Sequence, residues 1–443
     1  MHYPTSAPLM ALMAPTALIA LSLTACGPST SEPPSQPEPP RTYEVPAHPT
    51  YTEHIAPMMD LHCTTCHVQG SIAPFPLETY DEVSTLAGFS LASMHAGTMP
   101  PWPPGPGCGD FQQPRVMLPE EIETFQLWFD QGRPQGPPVD STDDGHQETH
   151  DELTPDLTLD WGFEYQPRPA PGSLDDYRCF IVDPGLTEDA FVNSIETRPG
   201  NPLQVHHLIA YTVPDEAFDD VDALLAEDDR PGYECFGSPR YDGAQMFAGW
   251  VPGQVRQPLQ EGHGVKIPAG AKVAIQMHYT TLNDPDGSDR TEVDLFFVDR
   301  DEHPDPVEMV LLQLAALDLF IDAGDPDSLT TIDSPLIPIS MRVHGIAAHM
   351  HMLGTSIRAD ALLPDEEICL IDIPRWDFGW QGIYLYEEPI LLQRPFRTRL
   401  TCRWDNSPSN QPPGQTPQDV TWGDESSDEM CLIMLIVERP EGL

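Results

Sequence analysis

The spacing of apolar positions changes twice along the chain. From about residue 46 to 136 it is helical: Leu118, Ile122, Phe125 and Phe129 fall on one stripe, Pro119 with Glu120 and Glu121 suits a first turn, and Gly132 suits a stop. This predicts a small all-α domain of short helices. Residues 137–160 are polar, acidic and Pro-containing, which marks a linker. Beyond residue 160, short β-like runs are separated by Pro, Gly and Asp. Lys272 to Thr280 alternates, with Val273, Ile275, Met277 and Tyr279 on one side and Ala274, Gln276 and His278 on the other. About 280 residues of this texture predict one or two antiparallel β-sandwiches. No repeat of fixed period is present.

At the N-terminus an apolar run from Leu9 to Leu23 leads into Leu23-Thr24-Ala25-Cys26 and then a Pro- and Ser-rich tract from Gly27 to Pro40. This resembles a bacterial lipoprotein signal, although only His2 supplies any basic character before the run. Residues 1–25 are then a signal peptide, Cys26 the lipidated first residue and 26–45 a linker. The run is short for a membrane-spanning helix. The expected location is lipid-anchored, on the outer side of the cytoplasmic membrane or in the outer membrane, facing periplasm or exterior. Both places permit disulfides.

The chain has 443 residues, room for more than one core. Acidic residues outnumber basic ones 70 to 21, for a net charge of −49, and Lys266 and Lys272 are the only lysines. That balance argues against nucleic acid as a partner and fits a solvated acidic surface in a salty medium.

Leu61-His62-Cys63-Thr64-Thr65-Cys66-His67 contains Cys-x-x-Cys-His, the arrangement by which a haem is attached through two thioethers while the histidine ligates iron. It predicts a c-type haem on Cys63 and Cys66 with His67 as axial ligand. A dithiol redox pair would want a thioredoxin-like βαβ context, and a zinc knuckle a second cysteine pair; the neighbouring sequence offers neither. Met99, in Thr98-Met99-Pro100-Pro101-Trp102, is the expected sixth ligand, because a soft thioether raises the potential of such a haem. Met58, Met59 and Met94 compete for that role and are expected to pack in the core. With Cys26, Cys63 and Cys66 assigned, six of the nine cysteines remain: Cys108, Cys179, Cys235, Cys369, Cys402 and Cys431. Spacing alone does not choose among their fifteen pairings.

In the β-like region His206-His207, His278, His349-x-His351 and Met430 stand out. Residues two apart on a strand share a face, so His349 and His351 can chelate one ion. Adjacent His206 and His207 would project to opposite faces of a regular strand, and could share an ion only at a bulge or strand end. Each histidine alone reads as one satisfied by a backbone hydrogen bond; their joint placement argues for metal. Imidazoles with one thioether suit copper cycling between Cu(II) and Cu(I). His146 and His150, four apart in the acidic linker, lack helical periodicity and read as solvated.

Six segments occur in an order that carries a resemblance: Asp176-Tyr177-Arg178-Cys179, Val205-His206-His207, Gly249-Trp250-Val251-Pro252-Gly253, Gln276-Met277-His278-Tyr279, His349-Met350-His351 and Ser426-Ser427-Asp428-Glu429-Met430-Cys431. Through them, roughly residues 158 to 443 resemble the copper type II monooxygenases represented by dopamine β-monooxygenase and peptidylglycine α-hydroxylating monooxygenase. The resemblance implies an electron-storing copper on His206, His207 and His278, and an oxygen-binding copper on His349, His351 and Met430. It also implies pairings of Cys179 with Cys235 and Cys402 with Cys431, leaving Cys108 and Cys369 unassigned.

The expected fold is therefore a small all-α cytochrome c-like domain at 46–136, followed by two antiparallel β-sandwich, jelly-roll-like copper domains at 161–300 and 301–443, facing each other across a solvent-filled cleft. The peptide-hydroxylating relative holds its substrate carboxylate with an arginine two residues before the H-x-H motif and polar residues after the Met-Cys pair. This chain has Ala347, Leu432 and Met434 there, which argues against a peptidylglycine substrate.

The implied reaction is monooxygenation: one atom of O2 enters a C–H bond of a small organic substrate and the other leaves as water. Gln276, on the face of His278, is expected to orient a water or substrate. Ascorbate is the donor in the animal relatives; here the expected cofactors are two coppers and one covalent haem, fed by a periplasmic or membrane electron donor. The competing expectations are a non-catalytic haem and copper electron-transfer or copper-binding protein, and a surface protein with vestigial metal sites.

Overall fold

The computed structural model describes residues 43–443 except 72, 113–114, 139–153, 172, 228, 412–414, 424–427 and 441–443. The signal peptide, Cys26, His146 and His150 lie outside the described residues.

Four α-helices occur among the described residues: α1 (Ala56–His62), α2 (Tyr80–Ala96), α3 (Pro119–Asp130) and α4 (Phe218–Leu225). The first nine strands are β1 (Leu157–Leu159), β2 (Asp175–Val182), β3 (Ala190–Arg198), β4 (Val205–Val213), β5 (Tyr233–Glu234), β6 (Gln245–Trp250), β7 (His263–Ile267), β8 (Lys272–Thr280) and β9 (Glu292–Phe297). Ten more follow: β10 (Val307–Ala315), β11 (Phe320–Ile321), β12 (Ser328–Asp333), β13 (Met341–His349), β14 (Gly354–Leu362), β15 (Glu367–Ile373), β16 (Ile383–Leu392), β17 (Arg397–Trp404), β18 (Val420–Thr421) and β19 (Leu432–Glu438).

One sheet spans the whole β region, in the order β1-β9-β3-β7-β10-β19-β13-β16. A five-stranded sheet, β5-β2-β8-β4-β6, packs on its early strands: Leu208, Ile275 and Met277 meet Leu159, Val192, Val293 and Leu295 in one core. A four-stranded sheet, β12-β17-β14-β15, packs on its late strands, where Val343, Ile346, Ile433 and Leu435 meet Ile357, Leu370, Leu400 and Trp404. β8 lies in the middle of its sheet with residues buried on both faces from Val273 to Tyr279, so its alternation does not divide core from solvent.

The expected architecture is corrected in two places. Among the described residues there is no separate all-α cytochrome-like domain, because Tyr43–Leu443 is one compact unit and the early helices are short pieces of it. α2 starts at a capping box on Thr79 and ends at Gly97, whose φ of 61° suits a residue without Cβ. With α1 and α3 it encloses Ile55, Met59, Val83, Ala87, Phe125 and Trp128. The segment after α2, however, joins the β core. Cys108 is disulfide-bonded to Cys369 at the end of a 261-residue separation. Phe111 is 5% exposed inside the late β core and bridges to Tyr386, Gly105 N donates to Asp372 O at 2.7 Å, and Gln112 N donates to Leu385 O at 2.7 Å.

The second correction concerns the two expected sandwich domains divided at residue 300. β7 and β10 pair in parallel, Val307 against His263 and Met309 against Val265, so a single hydrogen-bonded ladder crosses that division.

Candidate functional site

β4 and β8 are neighbours, with His207 registered against His278. The register shifts between Val205 and His207, leaving His206 as the extra residue of a bulge. A bulge turns two consecutive side chains toward one place. Nδ1 of His207 lies 3.1 Å from Nδ1 of His206 and 3.3 Å from Nδ1 of His278. His278 donates Nε2–H to Asp175 Oδ1 at 3.1 Å, which leaves its Nδ1 lone pair directed at the other two rings. Tyr177 stacks on His278 with centroids 4.1 Å apart and planes 11° apart. Burial holds His207 and His278 well below the ordinary histidine pKa, and lowers that of His206. Neutral imidazoles with facing lone pairs can hold a metal ion.

His349 ends β13, and His351 follows two residues later, with ring centroids 5.0 Å apart. His349 Nδ1 donates to Gln381 Oε1, and His351 Nδ1 donates to Asp428 O at 3.1 Å, so the same nitrogen, Nδ1, donates in both rings. Burial pushes His349 down to about 4. Glu429, itself raised to about 7 by burial, accepts from His351 N at 3.0 Å, Leu353 N at 2.6 Å and Trp404 Nε1 at 2.9 Å, which fixes the backbone around His351 and Met430. Cys431 bonds to Cys402 in the late core, and Cys179 to Cys235 beside the first histidine set. Phe378 lies between the two sets, its ring centroid 6.5 Å from His206 and 5.9 Å from His351.

Cys63 and Cys66 are free thiols at the end of α1. His67 donates Nδ1–H to Phe75 O at 2.9 Å, which again leaves Nε2 open. Gly253, with φ of 77°, lies directly against Cys66: a Cβ on that glycine would fall on the Cys66 sulfur. Gly253 ends the segment that follows β6, and β6 pairs with β4, Gly249 against Ile209 and Trp250 against Leu208. The thiol motif thus touches the turn that leaves β6, the strand paired with the one that carries His206 and His207.

All three constellations line one cavity of about 1220 Å³: Cys63, Cys66 and His67, then His206 and His207, then His349, His351 and Met430. Met99 and Met94 also line it, whereas Met58 and Met59 are buried in the helical core. Gln276 lines it with one amide N–H spent on the Cys235 carbonyl. Around His349 the wall is sheet: Leu432 is registered opposite His349, and Met434 and Ile383 opposite Ala347. These alternate with core residues Ile433 and Leu435, so β19 divides core from cavity. Asp175, Gln381 and Phe378 were not singled out from sequence, and Tyr177 was noted there only within Asp176-Tyr177-Arg178-Cys179. None has a distinctive spacing to its partner, and Gln381 meets His349 only through the fold.

Neither protein-family models nor curated proteins match the chain. Among solved structures, the VP54 protein of PBCV-1 is similar at 9% identity, covering 62% of this chain and 95% of that one with a TM-score of 0.22. An α-L-fucosidase homologue from Bacteroides ovatus is similar at 8% identity, 73% and 43% coverage and a TM-score of 0.18. Allantoicase is similar at 14% identity, 55% and 81% coverage and a TM-score of 0.14.

Proposed function

We propose that the protein is a copper-dependent monooxygenase that hydroxylates a C–H bond of a small organic substrate, with electrons entering through a covalently attached haem. The observation that carries the reading is the single cavity shared by the Cys-x-x-Cys-His motif and both histidine sets.

The residues fit both kinds of group. Cys63 and Cys66 are unpaired thiols beside a His67 whose Nδ1 is engaged and whose Nε2 is open, in a cavity that apolar Ala73, Pro74, Phe75 and Leu77 help to line. Met99, on the same cavity, would help hold the haem through its thioether. His206, His207 and His278 offer a set of Nδ1 atoms, and His349 and His351 offer Nε2 atoms alongside the Met430 thioether. The haem would supply one-electron transfer. Copper would supply O2 activation at the His349, His351 and Met430 set and electron storage at the other.

The chain's own residues do the positioning. Asp175 and Gln381 fix the tautomers of His278 and His349, and Glu429 fixes the backbone carrying His351. Ala347, Leu432, Met434 and Ile383 make an apolar wall beside His349, which suits an apolar part of a substrate. Gln276, elsewhere on the same cavity, would offer its carbonyl oxygen to a water or substrate hydroxyl. Overall, one oxygen atom enters the substrate C–H bond and the other becomes water, using two electrons and two protons from outside.

The test is O2 uptake by the reduced, copper-loaded protein over a panel of hydrocarbons, phenethyl compounds and amines, with 18O2 tracing the product. Uptake that yields product bearing one labelled atom, is abolished by chelation and is lost in His351→Ala supports the reading. Haem that reoxidises no faster with copper and O2 than after copper removal overturns the relay, and absence of labelled product with all substrates overturns the enzyme.

A further inference from the structure

We propose a third metal site, separate from both histidine sets above, on His263, His344 and Glu438, taking a late first-row divalent ion of the zinc class. The three donor atoms lie within 4.8 Å of one another. Glu438 Oε1 is 3.1 Å from His344 Nε2 and 3.6 Å from His263 Nε2, and the two rings are 4.9 Å apart at their centroids. Donor atoms about 2.0 to 2.2 Å from a tetrahedral ion stand about 3.3 to 3.6 Å from one another, so these separations need little adjustment. Two imidazoles and a carboxylate are a zinc-type donor set with one position left for water.

The backbone prepares the site. β13 shifts register between Val343 and Gly345 against both β16 and β19, so His344 has no partner residue in either ladder. An extra residue of this kind re-aims a side chain, and His344 is 3% exposed where it lands, against Glu438. His263 begins β7 and Glu438 ends β19, with β10 between them in the sheet. The ion would tie strands from both sides of residue 300 across the β7–β10 seam. His344 is five residues before His349 on the same strand, roughly 15 Å along it, too far to share an ion with that set.

Arg342 is the competing cation: its Nε contacts the same Glu438 oxygen at 3.1 Å, with the arginine side chain 45% exposed. An ion at Oε1 must displace that contact. A cluster held only by hydrogen bonds and a metal site therefore respond oppositely to loss of the arginine.

The experiment equilibrates the full mature chain with zinc and counts bound ions, with circular dichroism checking each variant's fold. His263→Ala, at the solvent-facing edge, is expected to lose one zinc equivalent while His278→Ala loses a different one, and the double variant both. Arg342→Ala is expected to tighten the site about two- to fivefold, the size of an exposed ion pair. The proposal is overturned if His263→Ala and His344→Ala keep the wild-type zinc count, or if Arg342→Ala leaves zinc affinity unchanged. Loss of zinc only in His278→Ala would leave the first histidine set intact as a metal site and remove this one.

Discussion

Asp175 accepts a hydrogen bond from Nε2 of His278, and Gln381 accepts one from Nδ1 of His349, so each set would offer a different ring nitrogen to the proposed metal. Removing such an orienting partner typically costs 10- to 100-fold in metal affinity. Asp175→Ala is accordingly expected to weaken copper binding about 10- to 100-fold at the His206, His207 and His278 set while sparing the other, and Gln381→Leu the reverse. Competition against a copper chelator of known affinity, read separately in the two variants, checks both; equal weakening of both sets in either variant would refute the assignment. The H-x-H pair was legible in the sequence because a period of two is a property of any strand. Its orienting partner was not, because Gln381 lies 32 residues away on a loop with no periodic signal.

Bulges account for what strand periodicity alone left open. His206-His207 could converge only if the ladder slipped, and it slips between Val205 and His207. Nothing in the local sequence announces the slip, which is set by pairing with β8. The alternation of β8 was legible as a strand, yet its burial on both faces required knowing that two layers cover it. Gly253 is a second such position. Alanine there would strain a backbone at φ 77° and place Cβ on the Cys66 sulfur, so Gly253→Ala is expected to lose about 1 to 3 kcal/mol in urea unfolding and to lower covalent haem content. Full stability with full haem would show that the contact is dispensable. Cys108 and Cys369 illustrate the other limit of sequence: 261 residues separate them, and only the fold brings the segment after α2 to β15. Replacing both by serine is expected to cost about 2 to 5 kcal/mol, measured by thermal unfolding under oxidising conditions.

At the scale of the molecule, helical periodicity over residues 46–136 correctly indicated helices in that region but not their dependence. Three short helices enclose a modest core, and Trp102 and Phe111 pack into the late β core instead. Expressed without residues 43–136, the β region is expected to lose its cooperative near-ultraviolet unfolding transition, since Phe111 and the Cys108 anchor are removed; an unchanged transition would restore the picture of independent modules.

The parallel pairing of β7 with β10 has a kinetic corollary. A ladder of backbone hydrogen bonds running from one half of the chain to the other leaves no hinge there, so the spacing between the two imidazole groups is expected to stay constant whether or not the chamber is filled, with access through side chains and loops at the rim. Amide exchange in β7 and β10 is expected to be equally slow with the chamber filled or empty, and ligand-dependent quickening there would reveal breathing that the continuous sheet forbids.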